Sequence, residues 1–438
     1  MTRGSGVAAK PGGVERLIAR LQNSVMLRQG ALVFSATMVL NVGGFIFHAI
    51  ASRRLGVADY GVLYALISTV TIAAVPAALA VPVIARFAAE FRVLHDERHV
   101  RRLVLDLVRL FGAIGAAYVV ISLAAMHPIG AFLRVPAWTV PLVAMMAGGM
   151  LLSSVLRAVA QGTQEFGAFA RSCITDGVSK VVAVFFLTML LGLFGGILGF
   201  LTGIFGGAIA MGIVLAAQYG RVADEKIRYD WRRIALSGLG AAAITIAGAL
   251  MGSADVVLVK HYFGAQDAGI YSAASLGGKI LLYFVGFVPT ILLPQATERH
   301  VRGERTRYAL AACVAILAAI AVVGLIALRF FGTLLLHALV GHAFDGAAAL
   351  LLPYSVAMVF LSLSGMLGSY GIATHRIAFA VPLLVCVAGT LLSIALFHST
   401  LMQVVTAVAV GNVVTTLAVA VSIGVQALLG ARNASAPA

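Results

Sequence analysis

The chain has 438 residues, 61% of them hydrophobic and only 11% charged, a balance that excludes a soluble domain and points to a polytopic membrane protein. Its net charge of +15 does not point to nucleic acid, because the basic residues sit in short segments between apolar runs, where membrane topology accounts for them. Cys173, Cys313 and Cys386 lie far apart inside apolar segments and suggest neither a disulfide framework nor a metal site; they are expected as small buried side chains.

Residues 1–28 are expected as a cytoplasmic, partly amphipathic lead. Within it "VERLIARLQNSV" puts Val14, Leu17, Ile18, Leu21 and Val25 on one helical face, either an interfacial helix or a disordered lead-in. The first apolar run starts near Ala31 with no small-residue cleavage site close behind it, so it is expected to be retained as a span.

A helix needs roughly 20 mostly apolar residues to cross about 30 Å of hydrocarbon. Read in those units, the chain predicts twelve spans: 29–51, 60–84, 103–126, 138–160, 172–194, 197–219, 233–254, 268–293, 306–331, 346–370, 379–397 and 403–429. Lys and Arg crowd alternate connecting segments, including Arg98, Arg101 and Arg102, then Arg228, Arg232 and Arg233, which predicts both termini in the cytoplasm. The polar stretch 220–232 divides the spans into lobes at 29–219 and 233–429, followed by a cytoplasmic tail at 430–438.

An internal repeat supports that division. "RRLGVADYGVLYA" (53–65) is echoed by "HYFGAQDAGIYSA" (261–273), with Gly56, Asp59 and Gly61 matched by Gly264, Asp267 and Gly269. Six spans per lobe make the repeat a parallel one about an axis along the membrane normal. Asp59 and Asp267 are expected as N-caps of spans 2 and 8, and Gly56 and Gly264 as the residues that permit the tight turns before them.

Polar residues inside the spans carry the functional reading, because a charge at mid-bilayer costs at least about 2.5 to 3.5 kcal/mol on insertion scales. Span 2 carries Tyr64, Ser68 and Thr71, and Pro76 and Pro82 punctuate it. Arg86 and Arg109 lie near helix ends; Arg109 is expected to anchor at headgroups, and Arg86 and Arg157 either anchor or face a cavity. Span 5 places Asp176 and Lys180 at i, i+4, either a pair that only lowers insertion cost or part of a cavity wall. Asp255 follows as either a proton or sodium site or the partner of Lys260. In span 8, Ser272, Ser275, Lys279 and Tyr283 form one stripe, with Lys279 near mid-bilayer and related to Thr71 by the repeat. Two related polar faces predict either a hydrated central cavity between the lobes or helix packing held by small hydroxyls, the cavity being the preferred expectation.

No HExxH, GxSxG, Walker-type loop or CxxC pair occurs, so covalent catalysis and a metal cofactor are not expected. His337 and His342 are five apart rather than i, i+4, and read as loop residues.

The strings "RRLGVADYGVLYAL", "RAVAQGTQEFGAF" and "GSADVVLVKHYFGAQDAGIYSAA" followed by "VPTILLP" resemble the polysaccharide transporter, or oligosaccharide flippase, branch of the multidrug/oligosaccharidyl-lipid/polysaccharide exporter superfamily. The resemblance implies an all-α polytopic membrane protein with twelve transmembrane helices in two six-helix parallel-repeat bundles around a central cavity. It implies alternating access, with proton or sodium coupling in several members. The implied cargo is a polyprenyl-diphosphate-linked glycan repeat, flipped to the outer leaflet of a bacterial plasma membrane, with membrane lipids and glycan-assembly enzymes as partners. Fixed cations would compensate the diphosphate in low dielectric, which makes Lys180, Lys279, Arg86 and Arg157 the candidate cargo contacts. Tyr64, Ser68, Thr71, Asp176, Ser272, Ser275 and Tyr283 form the expected polar lining. Arg53, Arg54 and Lys260 form an outer rim, and Asp255 or Asp176 couples the ion. The alternative reading is an ion-coupled exporter of small organic molecules.

Overall fold

The computed structural model describes residues 25–220, 239–285, 307–374 and 376–435. Twelve α-helices account for nearly all of them: α1 (Val25–Ala73), α2 (Val75–Val93), α3 (Glu97–Ala124), α4 (Met126–Leu133), α5 (Thr139–Gly162) and α6 (Phe166–Tyr219) in the first lobe. In the second lobe come α7 (Leu239–Tyr262), α8 (Ala265–Val285), α9 (Arg307–Leu339), a 3-10 turn (His342–Ala347), α10 (Ala348–Ala373), α11 (Ala380–Leu396) and α12 (Leu401–Ser435). The lead at 1–24, most of the expected inter-lobe loop at 220–232, and the "VPTILLP" string lie outside the described residues.

Two helices are too long to cross a bilayer once. α1 has 49 residues and α6 has 54. At 1.5 Å per residue each would run over twice the hydrocarbon thickness. Both are broken by a glycine with positive φ, Gly56 at 73° and Gly192 at 55°, a conformation that side chains strongly disfavour. The breaks are reversals. His48 and Tyr64 bring their ring centroids within 5.1 Å although 16 positions separate them, which no continuous helix allows. Ser172 likewise donates to the carbonyl of Gly207 at 2.7 Å. Counting the arms of α1 and α6 separately, and treating α2 as the continuation of the second α1 arm, recovers the twelve expected passes; α4 is a short extra helix at the Gly56 end.

Interior and exterior are both apolar, as a membrane protein requires. Leu190, Phe330 and Leu428 are 78%, 76% and 73% exposed, a surface that would aggregate in water and that lipid tolerates. Nine helices among the described residues are long and apolar enough to cross a membrane, and α11 is a shorter apolar one. Inside, one buried cluster runs from Phe47, Tyr60 and Leu63 across to Tyr271, Phe344 and Tyr354, so the lobes share a core at one end. A second cluster, with Ile84, Leu107, Phe111, Leu156 and Met211, belongs to the first lobe alone.

The repeated loop marks that shared end. Gly61 and Gly269, mates in the repeat, touch each other: a Cβ on Gly61 would lie 2.5 Å from the amide nitrogen of Gly269, and one on Gly269 would lie 2.0 Å from the carbonyl oxygen of Val57. Asp59 and Asp267 are not N-caps. Asp267 is the third residue of α8 and Asp59 the third residue past the Gly56 break in α1, where a carboxylate still complements the dipole of the helix that follows. Gly264, unlike Gly56, does not take a positive φ, because helix α7 runs on to Tyr262 and the turn closes without a left-handed residue.

Candidate functional site

Between the lobes lies a cavity of ≈ 410 Å³, walled by both arms of α1, by α5, α6, α7 and α8. Its polar lining comprises Asn41, His48, Tyr64, Ser68, Thr71, Ser153, Ser154, Arg157, Asp176, Lys180, Ser253, Lys279 and Tyr283. Three cations face one carboxylate there, a lining that favours anions.

The first-lobe charges form a compact triad. Asp176 Oδ1 is 2.7 Å from Lys180 Nζ, and Asp176 Oδ2 is 2.9 Å from Arg157 Nη2. Arg157 also donates through Nε to Ser172 Oγ at 2.9 Å and through Nη2 to the Ser172 carbonyl. The guanidinium therefore turns inward rather than out to headgroups. Asp176 and Lys180 are 4% and 7% exposed. At such depth a charge persists only where partners replace lost water, and here each has one.

Glycines make room for the triad. Gly195, Gly199, Gly203 and Gly207, four residues apart, bring the second arm of α6 backbone-close to the first. A Cβ on Gly199 would meet Val184 Cα at 3.0 Å, on Gly203 Lys180 Cβ at 2.6 Å, and on Gly207 Arg157 Nη2 at 2.6 Å. The α6 hairpin thus packs around the charges, and Ser172 joins the two arms through its bond to Gly207.

The second lobe contributes Lys279, 9% exposed, on α8. Its Nζ donates to Tyr64 Oη at 3.2 Å, across the lobe boundary, and lies 5.1 Å from the centroid of that ring. Tyr64 Oη is 3.5 Å from Ser275 Oγ, Ser275 donates to Tyr354 Oη at 2.9 Å, and Tyr354 donates to Asp255 Oδ2 at 2.8 Å. Tyr271 donates to the same oxygen at 2.8 Å. With the ammonium as donor at one end and the carboxylate as acceptor at the other, every hydroxyl between can point the same way. Asp255 is 2% exposed, and its Oδ1 is buried without a hydrogen-bond partner.

Several sequence expectations need correction. Asp255 pairs with Tyr271 and Tyr354 rather than Lys260, because residues five apart on a helix diverge by about 140° around its axis. Lys260 is no rim residue: it is 2% exposed and donates to the carbonyl of Arg134 at 2.9 Å. Ser272 and Ser275 are fully buried against neighbouring helices and do not line the cavity, whereas Tyr64, Ser68, Thr71 and Tyr283 do. Arg86 lines a separate space of ≈ 190 Å³ with Ala78, Pro82, Ala241 and Thr245, farther along α2 and α7 from the Gly56 end. Cys386 is half-buried where Cys173 and Cys313 are buried.

Arg53 and Arg54 are exposed at the Gly56 end. Arg53 reaches into the other lobe, donating to the carbonyls of His337 at 3.1 Å and Ala338 at 2.6 Å, and Arg54 lies over the Phe185 ring at 5.4 Å. Arg134 donates to the Tyr262 carbonyl at 3.3 Å, and Phe132 stacks on His261 at 4.2 Å. These contacts close the lobes together at this end. Sequence reasoning missed His48 and Tyr354; no local signal marks either, since both acquire their roles from chain reversals or distant helices. The four-residue glycine spacing in α6 was a signal within reach.

A profile of the family described as "Polysaccharide biosynthesis protein" matches residues 26–300. The chain is 24% identical over 273 residues to an uncharacterized membrane protein of Methanocaldococcus jannaschii, covering 58% of this chain and 63% of that one, so it spans less than two thirds of that relative's length. The lipid II flippase MurJ in an inward closed conformation has the same fold, with a TM-score of 0.71 at 12% identity over 90% of this chain and 87% of that one. So does a multidrug resistance MATE family transporter of the MOP superfamily in an inward-facing conformation, with a TM-score of 0.69 at 13% identity over 90% and 98%. A MOP superfamily transporter from Pyrococcus furiosus, whose binding pocket is described as of reverse polarity and suggestive of a different function, has a TM-score of 0.56 at 13% identity over 90% and 93%.

Proposed function

This chain belongs to the polysaccharide biosynthesis protein family, and from that premise we propose that it moves a polyprenyl-diphosphate-linked glycan from the inner to the outer leaflet of a bacterial plasma membrane by alternating access. The observation that carries the reading is the cationic surplus of the cavity: Arg157, Lys180 and Lys279 against Asp176 alone. A diphosphate crossing low dielectric needs fixed positive charge, and two opposite charges 4 Å apart at an effective dielectric of 20 attract by about 4 kcal/mol. Lys279 and the triad stand on opposite lobes, so a bound diphosphate would be gripped from both sides and would feel any rocking between them. The described solved structures, a lipid flippase among them, lend support to the reading at the level of fold.

In this reading both termini are cytoplasmic, the Gly56 end faces outward, and the closed contacts there define a state open to the inner leaflet. The six-helix lobes at 29–219 and 233–429 are the rocking bodies, hinged through the loop at 220–232. Asp255 is the proton or sodium site. Its unpartnered Oδ1 is what a proton or a cation would satisfy, and the hydroxyl chain links it to Lys279 and the cargo. Glycan-assembly enzymes would supply the cargo on the inner face.

Lys279→Met and Lys180→Met, each stably inserted, should abolish surface polysaccharide in cells and flipping of a defined lipid-linked glycan in proteoliposomes. Normal export by both would sink the proposal. One observation favours a second reading, an ion-coupled exporter of small organic molecules: ≈ 410 Å³ falls within the range of drug-sized sites. Deletion that sensitises cells to small toxic compounds while leaving glycans intact would select that reading instead.

A further inference from the structure

At the Gly56 end, outside the central cavity, three groups from the end of one helix and the turn after it converge. α9 ends at Leu339, and Gly341, with φ of 93°, turns the chain into the 3-10 turn. That reversal sets the His342 ring 3.9 Å, centroid to centroid, from the His337 ring. It also sets Asp345 Oδ1 2.5 Å from His337 Nε2. One ligand atom from each of the three lies within 4.8 Å of the others. Two imidazoles this close, their planes tilted by 45°, repel once both are protonated, and a hydrogen bond to one carboxylate satisfies only one of them. A shared cation satisfies all three.

We propose that His337, His342 and Asp345 form a binding site for a divalent transition-metal ion of the zinc or cobalt class. Two imidazole nitrogens and one carboxylate oxygen are the donor set such ions prefer, with remaining positions left to water. Around a tetrahedral ion with bonds of about 2.1 Å the ligand atoms stand roughly 3.4 Å apart, so small side-chain rotations close the site. The proton shared by His337 and Asp345 is released on binding. The C-terminal end of the α9 dipole favours a cation nearby. Arg53 opposes it: its guanidinium sits on two of those carbonyls, so the affinity stays below that of a closed four-ligand site. The ion would tie the end of α9 to the 3-10 turn, both of which touch the first lobe, through Arg53 and through the Tyr60 to Phe344 ring contact at 5.5 Å. The site is independent of which cargo the cavity takes.

The test uses the full chain in detergent or nanodiscs, purified without a histidine tag. Cobalt(II) titration followed by its visible d–d absorption should give one bound ion per chain, weakened at least tenfold by His342→Ala and by Asp345→Asn. Zinc should raise the thermal unfolding midpoint of the unaltered chain and leave that of the double variant unmoved. His127→Ala, remote in sequence, serves as a control and should bind as the unaltered chain does. Cobalt affinity within twofold of the unaltered chain in both single variants, or an unchanged zinc response in the double variant, would overturn the proposal.

Discussion

Single side chains in this protein act in charge pairs whose balance can be tipped. Asp176 neutralises one of two cations that flank it, so Asp176→Asn should leave Arg157 and Lys180 competing for an anion. We expect tighter binding of a pyrophosphate-bearing headgroup, at least threefold by equilibrium titration, together with a lower unfolding midpoint; unchanged or weaker binding would show that the triad does not meet the anion. Tyr354 stands between Ser275 and Asp255, and Tyr354→Phe deletes both bonds. Leaving a buried carboxylate short of a donor costs about 1–3 kcal/mol. In the proposed mechanism the same change cuts Lys279 off from the ion site, so transport in proteoliposomes should lose its dependence on an imposed ion gradient while cargo binding persists. Gradient dependence equal to the unaltered chain would remove the hydroxyl chain from the mechanism. At this scale the sequence was half legible. Lys180, Lys279, Arg157 and Asp176 stood out because charge is expensive in lipid, whereas the partners of Asp255 lie 16 and 99 positions away and leave no local trace.

Helices carry the next level of specification, and here glycine spacing does what side chains cannot. The second arm of α6 presents Gly195, Gly199, Gly203 and Gly207 to the first, and Gly203→Val would drive branched methyls into Lys180 and the Asp176 carbonyl. Overpacking of this kind costs about 1–3 kcal/mol. It should also displace the triad, so the variant is expected to unfold at lower temperature and to bind anions more weakly; a loss of stability with unaltered anion binding would mean the hairpin does not position the charges. Outside the membrane, Asp96 caps α3 by accepting from the His99 amide at 3.1 Å, and its carboxylate also meets the His99 ring. The His99 amide bond is the main reason that the Asp96 carboxyl is held below its ordinary value. A depressed carboxyl contributes stability above its unfolded pKa and loses it as pH falls through the folded one. Asp96→Ala should therefore cost about 1 kcal/mol near neutral pH, and the difference should vanish in acid. Melts across that range check it. Helix number and extent were readable from hydropathy, because a bilayer imposes one length on every pass. The reversing glycines were readable only in part: Gly56 was marked by the repeated loop and takes positive φ, Gly192 does the same with no such mark, and Gly264, the twin of Gly56, does not.

The whole molecule joins two related lobes through the loop each wrote for itself. Gly61 meets Gly269 backbone to backbone, and around that point Arg53, Arg134 and the Phe132 to His261 stack hold the same end shut. Gly61→Val has no room there, since its Cβ would lie 2.5 Å from the Gly269 nitrogen. The closed contact should weaken, and spin labels placed across the lobes at that end should report a longer mean separation; an unchanged distance distribution would show that the glycine pair is not what holds the lobes together. The duplication itself was visible in the sequence, because the two strings keep one register, but that the two copies would touch was not, since a repeat fixes symmetry and not the distance from its axis. In the proposed mechanism that contact would also serve as a fulcrum. The first arm of α1 runs from 25 to 55, about 45 Å at 1.5 Å per residue. A tilt of about 10° pivoting at the glycine pair would therefore swing its far end by roughly 8 Å. If the lobes rock as proposed, two glycines at the hub set the mechanical gain: the width of the opening at the far rim would depend on an angle, and side chains at the rim need not move to change it.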